Sequence, residues 1–401
     1  MRPRAALALL VVAALPGSVS AQDYHLDLFG DVRVVAPPDE RSWNDGGLGK
    51  TRYGDGGVSP ELGEISAIGS AHPLPELETY AHARYEPTQN HPIDLIEAFA
   101  RYRPVSTTSW RWSVKLGAFF PPVSLENEGI GWTSLWTLTP SAINSWVGDE
   151  LRTVGGEAQL EWRGEAHQIE ATGALFGLND SAGALLADRG WTFDDRPVGL
   201  FDHSRLPDVL ARPGQSPPLF TQPFQEIDNR VGFYVGLSWR WLDYGRVAML
   251  YYDNDSNPSA EHGEYAWHTR FWSLGAETAI DAFVIKSQVM VGSTVIAPEG
   301  NGNRTDFEAA YVLVGWERGA WRLAARGDQF STTNESYGYG AVDLGETGYA
   351  ATLAATWRPL SWLRITGELL HIDSTREQRE LEGLPAHTRD TQFQLAFRLF
   401  Y

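Results

Sequence analysis

The chain has 401 residues, with 51 Asp and Glu against 32 Lys and Arg, giving a formal net charge of −19 at pH 7. So acidic a chain lacks the basic footprint by which DNA or RNA is held, which excludes nucleic acid as a partner. With no Cys it holds no disulfide, thiolate metal site or cysteine nucleophile, and its 16 Trp and 40 Gly set it apart from disordered acidic chains.

Residues 1–21 read as a signal peptide for Sec-type export. Arg2 and Arg4 precede an apolar run from Ala5 to Leu15, and Val19-Ser20-Ala21 offers small residues before a cut at Gln22. That run is too short to span a bilayer as a helix, and no later stretch reaches 18 apolar residues, so any membrane span is expected to be built from strands.

After the leader the dominant period is two. Taken in chain order, the predicted strands are 24–35, 61–70, 77–86, 93–103, 109–119, 153–163, 166–177, 229–241, 244–252, 265–279, 282–296, 306–316, 320–328, 347–358, 361–372 and 389–401. In 109–119, Trp110, Trp112, Val114 and Leu116 oppose Arg111, Ser113 and Lys115. In 229–241, Val231, Phe233, Val235, Leu237, Trp239 and Trp241 oppose Gly232, Gly236, Ser238 and Arg240. In the last strand Phe393, Leu395, Phe397, Leu399 and Tyr401 share one face, opposite Gln392, Gln394, Ala396 and Arg398. The second strand, 61–70, is demanded by parity more than by its own pattern.

A soluble sandwich also alternates. Here, however, Trp, Tyr and Phe bracket each apolar face, as the interfacial girdles of a membrane barrel require, and the other face is rich in Gly, Ser, Thr and Arg. Short connections alternate with long ones. The expectation is a single domain over 22–401: an all-β, closed antiparallel transmembrane β-barrel of about 16 strands, with long outer loops and short periplasmic turns. The aromatic end, Phe397, Leu399 and Tyr401, is the expected signal for the barrel-assembly machinery.

The longest informative connection lies in LGAFFPPVSLENEGIGWTSLWTLTPSAINSWVGDELRTVGGE, residues 116–157. Pro140 to Trp146 can form a helical turn with Thr139 or Ser141 near its cap. Gly117, Phe119, Phe120, Pro121, the run Ser124-Leu125-Glu126 and the return Gly155-Gly156 resemble the segment after an early strand in Gram-negative outer-membrane porins. The phosphate-selective porin O/P group is the nearest in pattern. The resemblance implies a third loop, 119–152, folded into the lumen, and a homotrimer. Phosphate-selective members use many lysines, whereas this chain has three, Lys50, Lys115 and Lys286.

On the face expected to line the pore stand Arg111, Lys115, Arg163, Arg240, Arg322, Arg326 and Arg358, with Arg364 and Arg398 beside them. Glu157, Glu161 and Glu368 share that face, as do Asp27, Asp31 and Glu170 from less regular strands. The third loop carries Glu126, Glu128, Asp149 and Glu150. A basic wall facing an acidic loop gives a transverse field that favours polar solutes. The competing expectation is that wall arginines pair with wall carboxylates and solvate the lumen.

Other motifs carry less. Asp253, Asp255, Asn257 and Glu264 occupy positions 1, 3, 5 and 12 of a calcium-loop spacing, but Pro258 replaces the glycine its turn needs. Gly46-Gly47-Leu48-Gly49-Lys50-Thr51 imitates a phosphate loop without its first glycine or a following helix. His167 and His371 sit in strands with no serine that alternation brings beside them, which argues against a barrel lipase or protease.

The expected function is a passive diffusion channel for small hydrophilic solutes or ions in the outer membrane, without a cofactor or chemistry. Its other partners would be outer-membrane lipid and lipopolysaccharide. The alternative is a plugged or structural barrel, for which the proline-rich connection 178–229 is long enough, or less readily a barrel hydrolase.

Overall fold

A strand apolar on one face and polar on the other needs two different surroundings, and a closed ring supplies them. The structure, a computed structural model, describes residues 24–207, 220–242, 244–298, 302–336 and 345–401. The expected signal peptide lies outside the described residues, as do 208–219 of the 178–229 connection.

Sixteen strands close into one barrel: β1 (Tyr24–Ala36), β2 (Ser59–Leu74), β3 (Leu77–Tyr85), β4 (Ile93–Tyr102), β5 (Trp110–Phe119), β6 (Thr153–Arg163), β7 (His167–Gly177), β8 (Gly232–Trp241), β9 (Gly245–Asp253), β10 (His268–Ile280), β11 (Phe283–Ile296), β12 (Asn303–Arg318), β13 (Trp321–Ser336), β14 (Glu346–Leu360), β15 (Leu363–Arg376) and β16 (His387–Phe400). Each pairs antiparallel with its chain neighbours, and β1 pairs with β16, Val32 opposite Phe397, to close the ring. Among the described residues no helix is long and apolar enough to cross a membrane.

The predicted strands correspond one to one with these sixteen. Register breaks opposite Asp31–Val32 and at Ala71–Leu74 blur the alternation of β2, which explains its weak pattern. β13 runs on to Ser336, well past the expected end at 328, because its polar upper half pairs with Asn303–Glu308 of β12. The expected helical turn is α1 (Ala142–Glu150), its N-cap Ser141 accepting from the Asn144 amide. A second helix, α2 (Ala184–Arg189), and a small strand pair, Ser204–Arg205 with Phe220–Thr221, had no periodic signal.

The outer face is the apolar one. Val235, Leu237, Leu274, Val289, Val312, Leu353 and Leu369 are exposed on it. Tyr102, Trp110, Trp241, Tyr244, Phe283, Trp321, Trp357 and Trp362 are exposed near the short turns, and Phe233, Trp272, Tyr349 and Phe393 nearer the long loops. These are the two girdles that anchor a barrel at the bilayer surfaces. The inner face carries Asp31, Arg33, Glu64, Arg84, Lys286, Gln288, Arg326, Asp328, Glu368 and Gln394, all buried.

An exposed apolar belt closed by hydrogen bonds on every side suits lipid, where an unpaired backbone group costs several kcal/mol. Replacing Leu353, on the outer face midway along β14, by Arg should therefore destabilise the barrel by about 2–4 kcal/mol, the depth-dependent cost of a cation on the lipid side. Urea titration of refolding into vesicles checks it; an unchanged midpoint would place that face away from lipid.

Candidate functional site

All seven wall cations singled out in the sequence stand on the face opposite the exposed apolar side chains, but most have anionic partners. Lys115 pairs with Glu157 at 2.9 Å and Arg163 with Glu161 at 2.8 Å. Arg322 and Arg358 both reach Glu317, at 2.6 and 2.5 Å. Arg326 pairs with Glu126 at 2.7 Å and with Asp328 at 2.8 Å, all three shut off from solvent. Arg111 and Arg240 make no ion pair with a described residue. Asp31 pairs with Arg33 and with Arg398, and Glu64 with Arg84 and Arg398. Wall carboxylates in the irregular strands thus offset the apparent excess of wall cations. Pairing, the competing expectation, describes this wall better than an open row of charge.

The connection 120–152 is pinned by those inward groups. Arg326 on β13 donates to the Thr139 carbonyl (2.8 Å) and the Pro140 carbonyl (2.9 Å) as well as to Glu126. The Glu368 carboxylate on β15 accepts from the amides of Leu138 and Thr139. Lys286 on β11 donates to the Leu125 carbonyl and pairs with Glu128 at 2.7 Å, while Gln288 donates to the Val123 carbonyl at 2.9 Å. The inner glycines are seats: a Cβ on Gly275 would lie 2.4 Å from the Leu125 side chain, and one on Gly315 the same distance from the Trp136 ring. Trp146 of α1 packs its ring 5.5 Å from Phe271 and 5.2 Å from Phe307.

Asp149 and Glu150 meet α2 rather than the wall. Asp149 pairs with Arg189. Glu150 accepts from the amides of Gly183 (3.1 Å) and Leu185 (2.9 Å), and from the Trp146 indole. The acidic loop expected to face basic strands is therefore divided: Glu126 and Glu128 face them, and Asp149 and Glu150 hold a second segment, about 179–206.

That second segment belongs to the 178–229 connection, which the sequence marks as long enough to plug the barrel, and its contacts run around the ring. Asp195 is held by Arg33 on β1 and by Arg52, the latter at 2.8 Å. Leu200 donates its amide to the Leu95 carbonyl on β4 (2.8 Å), and Phe201 to Asp94 (3.0 Å). The Trp191 amide donates to Glu346 on β14 and its indole to the Ser331 carbonyl on β13, both at 3.0 Å. Arg376 on β15 donates to the Asp188 carbonyl at 3.0 Å. No local period marks these residues. Their one sequence signal is an unusual run of charge, Asp194-Asp195-Arg196, inside a connection otherwise rich in proline.

Burial sets the ionisation of this joint. It pushes the Glu150 carboxyl up to about 7, against the amide and indole hydrogen bonds that favour the anion. Burial also raises Asp149, with Arg189 opposing, and raises Asp194, where Asp149 adds to the effect. Asp195 is driven the other way, well below the usual range, because Arg33 and Arg52 outweigh its burial. Burial lowers Lys50 to about 8 despite its pairing with Glu346.

The calcium spacing is not assembled. Asp253 and Asp255 lie together with His268, whereas Glu264 accepts from Thr221 and from the Gln222 amide, and Asn257 accepts from the Ser259 amide. Asp180, Glu226 and Asp228 also cluster, with backbone amides already donating to all three. His371 bonds Thr391, and His167 lies beside the Trp239 indole. Unexpectedly, His82 on β3 faces Ser66 on β2 at 3.1 Å; both are buried, and among the described residues the other nitrogen of His82 has no partner to orient it as a triad requires.

No protein-family model matches this chain, and no curated protein matches it. Solved structures do. The outer-membrane channel DcaP of Acinetobacter baumannii aligns at 8% identity over 94% of this chain and 97% of its own, with a TM-score of 0.55. Salmonella typhi OmpF, solved with daunomycin, aligns at 10% identity over 94% and 97%, with a TM-score of 0.53. A loop-deleted form of OmpT, an outer membrane protein of Vibrio cholerae, aligns at 11% identity over 95% and 100%, with a TM-score of 0.51. The likeness is one of fold: the chain has the sixteen-stranded barrel of outer-membrane porins.

Arg326→Ala should leave Glu126 and Asp328 buried without their cation, at a cost of about 3–5 kcal/mol. Hydrogen exchange at the Ser141–Asn144 amides should then accelerate; unchanged protection would show that the pairing does not position the segment. For Glu150 the sign follows from a carboxyl raised in the folded state. Its favourable contribution is complete below about 4.5, falls as pH rises to about 7, and is flat above. The free energy of opening at the Leu185 and Leu186 amides should fall by about 3 kcal/mol over that window, and Glu150→Gln should remove the slope. A slope of opposite sign in the exchange data would refute the assignment.

Proposed function

We propose that the chain is an outer-membrane porin, a passive diffusion channel for small hydrophilic solutes or ions, narrowed by two connections folded into its lumen. The observation that carries this reading is the inside-out polarity of a closed sixteen-strand ring. A ring of that size leaves an aqueous interior where eight strands would fill theirs with side chains. Polar and charged groups face that interior, and the segments 120–152 and 179–206 bond to them.

Transport needs no reacting group, and the reading assigns none. The charge pattern supports weak steering rather than a strong transverse field, since Glu126 is neutralised by Arg326 and Glu128 by Lys286 and Arg246. The resemblance to the phosphate-selective porin O/P group supports the third-loop arrangement, while the scarcity of lysine argues for a different solute. The exposed apolar belt supports outer-membrane lipid as the surrounding medium. Phe397, Leu399 and Tyr401, exposed at the short-turn end, suit recognition by the barrel-assembly machinery. A homotrimer, lipopolysaccharide contacts and Sec-type export belong to the same proposal.

A plugged barrel is the second reading, favoured by one observation: Ala182 to Phe193 are buried throughout, with partners around the ring. Single-channel recording in a planar bilayer separates the two. The porin reading expects steady open steps from the intact chain. Replacing residues 184–206 by a short Gly-Ser linker should raise unit conductance by about two-fold or more, because a pore's conductance follows its narrowest section. An intact chain that stays silent while the shortened one conducts would select the plugged reading. Silence from both, in barrels folded by heat-modifiable mobility, would remove the channel.

A further inference from the structure

Zinc and ions like it are held by imidazole nitrogens and carboxylate oxygens at about 2.0–2.2 Å, so the ligand atoms of a tetrahedral site stand roughly 3.3–3.5 Å from one another. Among the described residues, three histidines each lie within ion-pairing distance of one aspartate: His25 of Asp27, His268 of Asp253 and His387 of Asp373. Asp202 meets two imidazoles. Its Oδ1 lies 3.7 Å from the His91 Nδ1 and 3.9 Å from the His203 Nδ1. His91 stands in the connection between β3 and β4, and Asp202 and His203 at the end of the second inserted segment. The three meet at the long-loop end of the barrel although His91 and Asp202 are 111 positions apart.

The carboxylate at the centre lacks the partners that other buried acids in this chain have. Asp202 is 3% exposed, and no Lys or Arg among the described residues pairs with it. Its Oδ1 accepts the His91 backbone amide at 3.3 Å, while its Oδ2 is buried without a hydrogen-bond partner. A buried carboxylate oxygen left unanswered is costly, and such groups are ordinarily paired or bound to a metal. Asp94 on β4 lies close enough to repel Asp202, which deepens the negative potential there. Neutral imidazole is the commonest metal ligand. The His91 side chain is 59% exposed and free to turn, and the His203 ring is steadied edge-on against Phe220, with centroids 4.5 Å apart. Two nitrogens and one carboxylate, with a position left for water, suit zinc; magnesium and calcium take oxygen ligands instead.

We propose that His91, Asp202 and His203 bind a divalent transition-metal ion of the zinc class, which ties the second inserted segment to the β3–β4 connection. The tie falls where that segment already touches the wall. Leu200 and Phe201, just before Asp202, donate their amides to the Leu95 carbonyl and to Asp94. The Asn90 side chain donates to the His203 carbonyl at 3.2 Å, so the two stretches are already aligned for shared ligation. The proposal does not depend on the channel reading, since a folded barrel binds the ion or fails to bind it whether or not it conducts.

Equilibrium dialysis of the untagged barrel, folded in detergent, against Zn²⁺ tests the site. A His268→Ala background removes the Asp253, Asp255 and His268 cluster as a rival. That protein should take up about one equivalent of Zn²⁺ and no Mg²⁺ at the same concentration. Adding His91→Ala or His203→Ala should weaken uptake by about tenfold or more, since even the groups that support metal ligands are worth that much. The exposed His91 can be truncated without loss of packing, and heat-modifiable mobility confirms folding; this variant decides the matter should His203→Ala not fold. Hydrogen exchange at the Leu200 and Phe201 amides should slow with Zn²⁺, by up to about 100-fold at about a hundred times Kd, because an ion that binds only the closed form favours closure. No uptake by the His268→Ala protein, or uptake that His91→Ala leaves unchanged, would overturn the site. Uptake without slower exchange at those amides would overturn the tie, and equal uptake of Mg²⁺ would overturn the assignment to the zinc class.

Discussion

Every backbone amide and carbonyl that enters lipid must find its partner inside the protein, and in a sheet only a ring without edges achieves this. The rest of the molecule follows from that closure. Once β1 pairs with β16, alternation sends one set of side chains to lipid and the other to a common interior. The apolar set cannot serve as a core, because it already faces its solvent. Cohesion inside the ring therefore comes from polar contacts and from whatever chain is folded between them, with a smaller apolar cluster around Trp146, Phe271 and Phe307.

A charged interior is expensive unless each charge is answered. Removing an ion from water costs several kcal/mol even after relaxation, and pairing repays it only when the remaining donors are satisfied too. Arg326 meets that condition: two carboxylates, two carbonyls and the Thr352 hydroxyl take its donors. Such contacts add little net stability, but they are directional. A greasy loop could slide on an apolar wall, whereas 120–152 is fixed in register by groups that only one placement satisfies. That inner charge is taken up in holding the loops.

The strands were legible because their physics is local. Alternation needs only neighbouring residues, and 153–163 matches β6 to the residue. The side of the wall on which each cation stands is equally local. Its partner is not: Glu126 and Arg326 are 200 positions apart, and Arg33 and Asp195 162 apart, so no window contains both. The wall therefore looked richer in free cations than it is. α1 could be read from Ser141 and the residues after it, since a cap is a local hydrogen bond. α2 could not, because Gly183 offers no side-chain cap and Glu150, which binds the first amides, comes from another segment. The glycines at 275 and 315 were visible as lumen-facing residues, but their use as seats for Leu125 and Trp136 depends on a fold that the pattern alone does not contain.

The two inserted segments are not independent, and one side chain shows why. Arg152 is buried and makes no ion pair among the described residues; its donors go to the carbonyls of Ile96 on β4, Gly148 and Leu151 at the end of α1, and Val198 in the second segment. Its guanidinium also lies 3.5 Å over the Phe120 ring. Burial lowers its pKa to about 9, so it keeps its charge at neutral pH, and the carbonyls at the C-terminal end of α1 are well placed to hold it. Moving the second segment away withdraws the Val198 carbonyl and leaves a buried cation one acceptor short, a cost of about 1–3 kcal/mol or more. It also strips Glu150 of the amides it binds on α2. Displacement of one segment thus penalises the placement of the other, and the width of the lumen is a shared property of wall, helix and turn rather than of a single loop.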